Sequence, residues 1–470
     1  MKKYWEQAVK RARDDLGANA NYLLKAEEHS IAFKYAFSEE DLTMDSLFEL
    51  AKIPPTHPEA SKAFEALKKN IRYQSRILQI AHDHKSSEAL APDLLIYPEP
   101  VSTEQLFTWM PGVFFHGVVC TDMHLFVNEF YALAADAFTF DSSTVGRARF
   151  NLIGLKDSWI DNEGRATRAI LVDFEKIRLI ETDLLQPQKI HSAQFISLGR
   201  DEIDTHRILS ERLNCVQINP FKVSWIADNK IASYKLWESH SIPTPDTLPI
   251  NSINQTAINF VKQHKESILK PNFSTGGRGA TFLNSTFDLH RSWDNKPEGF
   301  EWILQSRKDT VLFRLNANNR PQTLVLRLNV SGKNPSSLKV ESAYAQIGRD
   351  RNSPASTFHG GKIISKHELE GNTGYIKANR WCPVVLDEFF WSQAYATAEQ
   401  AAIIYQHLLL AGIDLIINVN SVGYPECLVL ECNPRPGGLC RSLCIIDNTP
   451  KIGNQLWRTL YDAICNQQKD

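Results

Sequence analysis

Two stretches of the chain carry residue types whose spacing suits phosphate and metal chemistry. The first runs Ile268-Leu-Lys-Pro-Asn-Phe-Ser-Thr-Gly-Gly-Arg-Gly-Ala-Thr-Phe-Leu283, a strand pattern, a glycine-rich loop and a second strand pattern. Gly276, Gly277 and Gly279 let the backbone adopt positive φ and bring N–H groups close to an anion, so the loop, with Ser274 and Thr275, can cradle phosphates. It lacks the Gly-Lys-Ser/Thr ending of a Walker loop and is followed by a strand pattern rather than a helix, which argues against a P-loop NTPase. An ordinary flexible hairpin is the competing reading. The second stretch is Gly412-Ile-Asp-Leu-Ile-Ile-Asn418, a turn, and Cys427-Leu-Val-Leu-Glu-Cys-Asn-Pro-Arg-Pro-Gly-Gly438. With the turn centred on Val422 and Gly423, antiparallel pairing places Asp414 opposite Glu431, and Asn433 shares the face of Glu431. Facing carboxylates repel unless a cation lies between them, and oxygen ligands suit Mg²⁺ that keeps waters and phosphate oxygens. The competing reading pairs one carboxylate with Arg435 or with a lysine elsewhere.

These residues need a scaffold, and the patterning supplies one of α/β class. The 470 residues suggest about three structural units. Residues 1–92 show helical periodicity, with Pro54-Pro55 and Pro58 between helices. From Asp93 short apolar runs such as Leu94–Tyr97, Gly112–Val119, Ala169–Phe174 and Gln194–Leu198 alternate with turns and helical segments, the texture of an α/β layer over 93–225. The runs Cys215–Ile218 and Ile268–Lys270 flank a helix-like stretch, Ala227–His240, that ends before Ile242-Pro243-Thr244-Pro245. Beyond it the strands lengthen into hairpins, a module over 226–455 followed by a C-terminal helix or tail, 456–470.

Composition narrows the class. Lys+Arg 52 against Asp+Glu 54 leaves a formal charge of -2, so no global basic field draws nucleic acid or anionic membrane. The N-terminal stretch lacks the continuous apolar core of a secretory signal, and the most apolar long stretch, Ala401–Val419, is interrupted by Gln406, His407, Asp414 and Asn418. Eight cysteines without CxxC spacing fit reduced thiols in a cytoplasmic protein. Cys440 and Cys444 have helical spacing, but no further pair completes a zinc set. His82 and His84 diverge at i and i+2 and read as a solvated helix end. Trp381, Phe389, Phe390 and Trp391 form either a substrate lid or, the favoured reading, packing for an insertion over Lys366–Gln393.

Taken in order, the motifs over about 215–445 resemble the ATP-grasp superfamily, in particular carboxylate–amine ligases like the ribosomal-protein glutamate ligases. Asp228-Asn-Lys230 and Ile242-Pro-Thr-Pro245 are similar to the family's lysine-bearing helix and the turn after it. Lys270 with its glycine loop follows, then Leu304-Gln305 at the position of the adenine hinge. Arg327, Arg349 and Gly360-Gly361 resemble the arginines and diglycine turn near the transferred phosphate, and Asp414, Glu431, Asn433 and Arg435 match the Asp and Glu-x-Asn-x-Arg pattern. Ser306 stands where an acidic hinge residue is common, and Asp228 and Lys230 have an extra residue between them.

The resemblance implies a two-lobed ATP-grasp module over 226–455 and a pre-ATP domain over 93–225. It implies ATP on Lys230, Lys270, the loop and Gln305, with Mg²⁺, as two ions, on Asp414, Glu431 and Asn433, and Arg327, Arg349 and Arg435 acting in catalysis. The reaction implied joins a small-molecule carboxylate to an amine, such as amino acids or a peptide, through an acyl phosphate with release of ADP and phosphate. Mg²⁺ and two lysines are the expected neutralisers of a transferring phosphoryl group. Two alternatives use the same cleft: a kinase-like phosphotransferase with a hydroxyl acceptor, and an ATP-binding regulatory protein without turnover. The bland reading of each lysine or strand arginine is a solvated charge or a surface ion pair.

Overall fold

The computed structural model describes residues 96–98, 114–121, 123, 130, 133–134, 150–173, 178–196, 198 and 202–436, apart from 275, 298, 308–309, 333 and 357–358. The expectations for residues 1–92, His82 and His84, Cys440, Cys444 and 456–470 lie outside them, as does Thr275. The described residues fall into two units, one ending at Ile218 and including Arg435 and Pro436, the other spanning Asn219–Pro434.

The first unit is a mixed α/β layer. Its strands are β1 (Ile96–Pro98), β2 (Phe114–Cys120), β3 (Phe150–Lys156), β4 (Arg165–Asp173), β5 (Arg178–Lys189), β6 (Ser192–Phe195) and β7 (Val216–Ile218), with helix α1 (Glu202–Arg212) between the last two. They lie in the order β1-β5-β4-β3-β2-β6-β7. Strand β2 runs parallel to β3 and β6, and β4 and β5 form an antiparallel hairpin. A strand paired in parallel on both sides is covered on both faces, so β2 reads as a nearly continuous apolar run. Val119, Ile153, Leu155 and Phe195 pack with Leu209 of α1 and with Leu213 in one core.

The second unit opens with α2 (Phe221–Asp228) and α3 (Lys230–Ser239). The sequence pattern suggests one helix there, but Asn229 breaks it: its backbone is extended and its side chain accepts the Ala232 N–H as the N-cap of α3. The break makes Lys230 the first residue of α3. A small lobe follows, built from β8 (Thr247–Ile250), α4 (Gln255–His264), β9 (Ser267–Pro271), β10 (Thr281–Leu283), α5 (Thr286–Asp294) and β11 (Trp302–Ser306). Its four strands form an antiparallel sheet in the order β10-β9-β11-β8. Ile250, Leu269, Leu283, Trp302 and Leu304 turn one face onto Ala257 and Val261 of α4 and Leu289 of α5. Side chains alternate along a strand, so Lys270, Ile303 and Gln305 project from the opposite face.

The large lobe adds β12 (Leu312–Phe313), β13 (Gln322–Ser331), β14 (Lys339–Ile347), β15 (Lys362–Ile364), α6 (Lys366–Leu369), β16 (Thr373–Lys377), β17 (Arg380–Pro383), α7 (Glu388–Ile403), β18 (Leu410–Val419) and β19 (Pro425–Asn433). Strand β13 pairs antiparallel with β14 and β18, and β18 pairs with β19. Leu326, Leu328 and Val330, Ala343 and Ala345, Ile413 and Leu415, and Val429 and Cys432 point to one face and pack with Phe390, Ala394, Ala398 and Ala402 of α7. The stretch read as an insertion is thus two things. Strands β16 and β17 form a hairpin beside β12. Helix α7 belongs to the core, with Phe390 and Trp391 buried in it and Phe389 exposed. Trp381 packs under the Arg314 guanidinium, 4.2 Å from its ring centre. No described helix is long and apolar enough to cross a membrane.

Candidate active site

The other face of the large sheet is polar, and the site is written on it in rows. Cα register sets Tyr344, Arg327, Asp414 and Glu431 side by side across β14, β13, β18 and β19. The next row is Ser342, Asn329, Gly412 and Asn433. Each row steps two residues along every strand, so all these side chains share one face.

Asp414 faces Glu431 as the sequence predicts, and the register explains how. Near the turn Val419 faces Pro425, which centres the hairpin on Val422 alone. The register then slips between Asp414 and Leu415, where Leu430 becomes an extra residue on β19. This β-bulge brings Glu431 opposite Asp414; bulges commonly re-aim a side chain beside a functional site.

In this arrangement each carboxylate of the expected metal set is engaged by a side-chain cation of the chain, Asp414 by Arg327 and Glu431 by Lys230. Arg327 donates from Nε to Asp414 Oδ1 at 2.5 Å and from Nη2 to Oδ2 at 3.0 Å, and Asn433 Nδ2 donates to the same Oδ2 at 3.1 Å. Burial opposes the charged guanidinium, but Asp414 beside it outweighs that and pushes its pKa up, while burial raises the Asp414 carboxyl against the pull of Arg327. Gly412 makes room for this fork: a Cβ there would stand 2.9 Å from both Cδ and Nη1 of Arg327. Glu431 Oε1 instead pairs with Lys230 Nζ at 3.0 Å. Burial would raise its pKa, but Lys230 and then Lys270 outweigh that and hold it below the usual carboxylate range.

The small lobe brings the other cations. Lys230 Nζ also donates to the Ser274 carbonyl at 2.6 Å, fastening the glycine loop. Asn272 supports that helix end, accepting the Ile231 N–H at 3.0 Å while its Nδ2 donates to Glu301 Oε2 at 2.7 Å. Lys270 is buried and makes no hydrogen bond or ion pair among the described residues. Burial lowers its pKa to about 8, Lys230 adding to the fall and Glu431 opposing it. The loop glycines behave as the sequence predicts: Gly276, Gly277 and Gly279 have φ of 62°, 74° and 74°. A Cβ at Gly277 would also lie 2.5 Å from Pro354 Cβ.

Other expected site residues sit differently. Gln305 is buried, its Nε2 donating to Thr247 Oγ1 at 3.0 Å while its Oε1 has no partner among the described residues. The N–H groups of Ser306 and Arg307 beside it are bonded to the Asp246 and Glu266 carbonyls. Arg349 follows β14 with its side chain 75% exposed and Asp350 Oδ2 3.6 Å away, and the fold does not bring it to the polar rows. The residues after Ile347 leave the sheet, so the alternation that aims Arg327 does not extend to it. Arg435 belongs to the first unit, held by Glu202 Oε1 and His206 Nδ1, each at 3.0 Å.

Sequence reasoning missed Arg307, Asn272, Asn329 and Gly412. Arg307 lies buried over the Phe282 ring at 4.7 Å, its pKa lowered to about 10 by burial. Only its place two residues after Gln305 of the hinge pattern could have flagged it.

Among the described residues no group of three His, Cys, Asp or Glu side chains could hold a metal ion. Glu431 Oε2 and Asn433 Oδ1, two residues apart on one face of these rows, have no hydrogen-bond partner among the described residues. Such a pair fits one Mg²⁺, an ion that binds few protein oxygens and keeps waters and phosphate oxygens.

No family model and no curated protein matches the chain. Solved structures with related backbones include a D-cycloserine synthetase, 13% identical at TM-score 0.46, covering 74% of this chain and 99% of that one. D-alanyl-alanine synthetase A from Vibrio cholerae is 14% identical at TM-score 0.43, over 75% and 99% of the two chains. N5-carboxyaminoimidazole ribonucleotide synthetase from Thermotoga maritima is 11% identical at TM-score 0.39, over 69% of each. At such identities and scores the functional reading rests on the site's own residues.

Proposed function

We propose that the chain is an ATP-dependent carboxylate–amine ligase of the ATP-grasp type, joining a small-molecule carboxylate to an amine with release of ADP and phosphate. The observation that carries this reading is Lys270: a buried ammonium with no direct partner among the described residues, facing Glu431 and Lys230 beside a loop with three left-handed glycines. An unpaired buried cation is costly unless an anion is to meet it, and the loop amides point to the same kind of ligand. ATP would supply the phosphoryl group that turns a carboxylate oxygen into a good leaving group. Lys270 and the loop hold the phosphates, Lys230 keeps the loop against Glu431, and Glu431 Oε2 with Asn433 Oδ1 would hold Mg²⁺. Arg327, kept in place by Asp414, presents positive charge where the carboxylate approaches. Roles for Arg435 and Gln305 and the reading of 93–225 as the preceding domain belong to the same proposal.

Calorimetry with Mg-ATP tests the nucleotide site, and affinity weaker than millimolar for both ATP and ADP would remove it. Once an acid is found that drives ADP release, ¹⁸O in its carboxylate is expected in the released phosphate. AMP with pyrophosphate would refute the acyl-phosphate route, and a stable phosphorylated product would establish the kinase reading instead.

A further inference from the structure

Beyond Arg327 the polar face continues, and nothing in the proposed phosphate chemistry uses it. Asn329 and Ser331 follow on β13, each two residues after the last, with Ser342 of β14 opposite Asn329. Asn329 and Ser342 are 1% exposed and Ser331 is 0%. Asn329 Nδ2 donates to Ser342 Oγ at 3.0 Å, yet Asn329 Oδ1 and Ser331 Oγ have no hydrogen-bond partner among the described residues. The alternating residues Leu328 and Val330 face the core, so a sheet face needed only for packing would read the same way. Leaving a buried acceptor unpaired costs more than a made bond gains, and such atoms call for an explanation. The backbone is also shaped here. Between Asn329 and Val330 the register slips by one, making Glu341 an extra residue on β14. With the bulge at Leu430, the two polar rows are bracketed by irregularities on both outer strands.

Resting on the ligase reading above, we propose that Asn329 and Ser331 seat the body of the carboxylate substrate, which therefore carries an N–H or O–H donor besides its reacting carboxylate. With Nδ2 committed to Ser342, the atom Asn329 offers is an acceptor, so the ligand must donate; the Ser331 hydroxyl can do either. Asn329 lies two positions along the strand from Arg327, roughly 7 Å away. An amino acid, a hydroxy acid or an amide-bearing acid fits that spacing. A plain aliphatic acid does not, because it would leave the acceptor unpaired. A site built to bond such a group discriminates strongly against analogues that lack it.

The test uses the full chain with Mg-ATP and hydroxylamine as a general amine, reading ADP release. Acids are offered in matched pairs: each common amino acid against its desamino acid, and 4-hydroxybutyrate against pentanoate. The donor-bearing member is expected to have at least about tenfold higher kcat/KM. Asn329→Leu, which keeps the branching at Cγ and removes the acceptor, should cut that ratio about tenfold or more and leave the calorimetric affinity for Mg-ATP unchanged. An equal ratio in the two proteins, or preference for donor-free acids, would overturn the proposal. Thermal shifts with the same acids and Mg-ADP form a second readout, in the chain as it stands, in Asn329→Leu and in Ser331→Ala. Donor-bearing acids that stabilise the original protein and not the variants, without any ADP formed, would sustain the seat and refute the ligase reading. Shifts by none of the acids, or equal shifts in the variants, would refute the seat and leave water as the partner of these atoms.

Discussion

Lys270 gives the proposed phosphate site a proton signature. Its pKa lies near 8 against the ordinary 10.5, burial being the main cause. At pH 8 about half of the empty molecules therefore carry a neutral Lys270, at pH 7 about a tenth and at pH 9 about nine-tenths. A phosphate placed against the ammonium favours the charged form and returns the pKa toward its ordinary value. Binding of Mg-ATP should then take up about 0.1 proton at pH 7, 0.5 at pH 8 and 0.9 at pH 9. Calorimetry in buffers of different ionisation enthalpy reads this number as the slope of observed enthalpy against buffer enthalpy. Nucleotide affinity should fall as pH rises above 8, by up to about tenfold per unit, because the neutral amine must first be protonated. Stability of the empty protein should move the other way. The unfolded chain holds its proton up to about pH 10.5 while the folded chain releases it near 8, so between those values the unfolded state binds more protons and stability rises with pH. In Lys270→Met both pH effects should vanish, so the difference between the variant and the original protein carries them in full. A zero slope at pH 8, or the same slope in Lys270→Met, would refute the assignment of Lys270 to the phosphates.

Four further outcomes follow from particular contacts. Glu431→Gln should lower ADP formation by at least ~10²-fold, since it removes the charge that pairs with Lys230 and the proposed Mg²⁺ ligand together; steady-state kinetics check it. Gly412→Ala puts a methyl 2.9 Å from Arg327 Cδ and should displace the guanidinium, cutting turnover by about tenfold or more with KM for ATP unchanged. Gly277→Val combines a φ of 74° with a clash against Pro354 Cβ, so calorimetric ATP affinity should drop about tenfold while the melting temperature moves by only a few degrees. Asn219→Ala should be the costliest polar change for stability: fully buried, Asn219 accepts the Leu409 and Leu410 N–H groups and donates to the Leu410 and Pro434 carbonyls. Losing these bonds should cost on the order of 3 kcal/mol in denaturant unfolding.

The parts of the site that the sequence made legible are those whose cause is local. Three glycines within four residues signal left-handed backbone because other residues resist it, and all three adopt it. Alternation along β19 correctly puts Glu431 and Asn433 on one face and Cys432 in the core. A turn centred on Val422 and Gly423 pairs Asp414 with Glu431, although the real centre, Val422, lies half a residue away. The bulge at Leu430 compensates for that offset, and no residue type in the strand announces it. What was hidden depends on strands distant in sequence. Arg327 and Arg349 look alike as arginines at or beyond a strand, yet only Arg327 falls in register with Asp414, 87 residues on. That same register decides whether the carboxylate is open to a metal or taken by a guanidinium. It also gives Gly412 its purpose, since the space it leaves is filled by a side chain from another strand. Chemistry-bearing residues can therefore be proposed from one strand at a time, but which of them remain available to a ligand is set by the rows they form across the sheet.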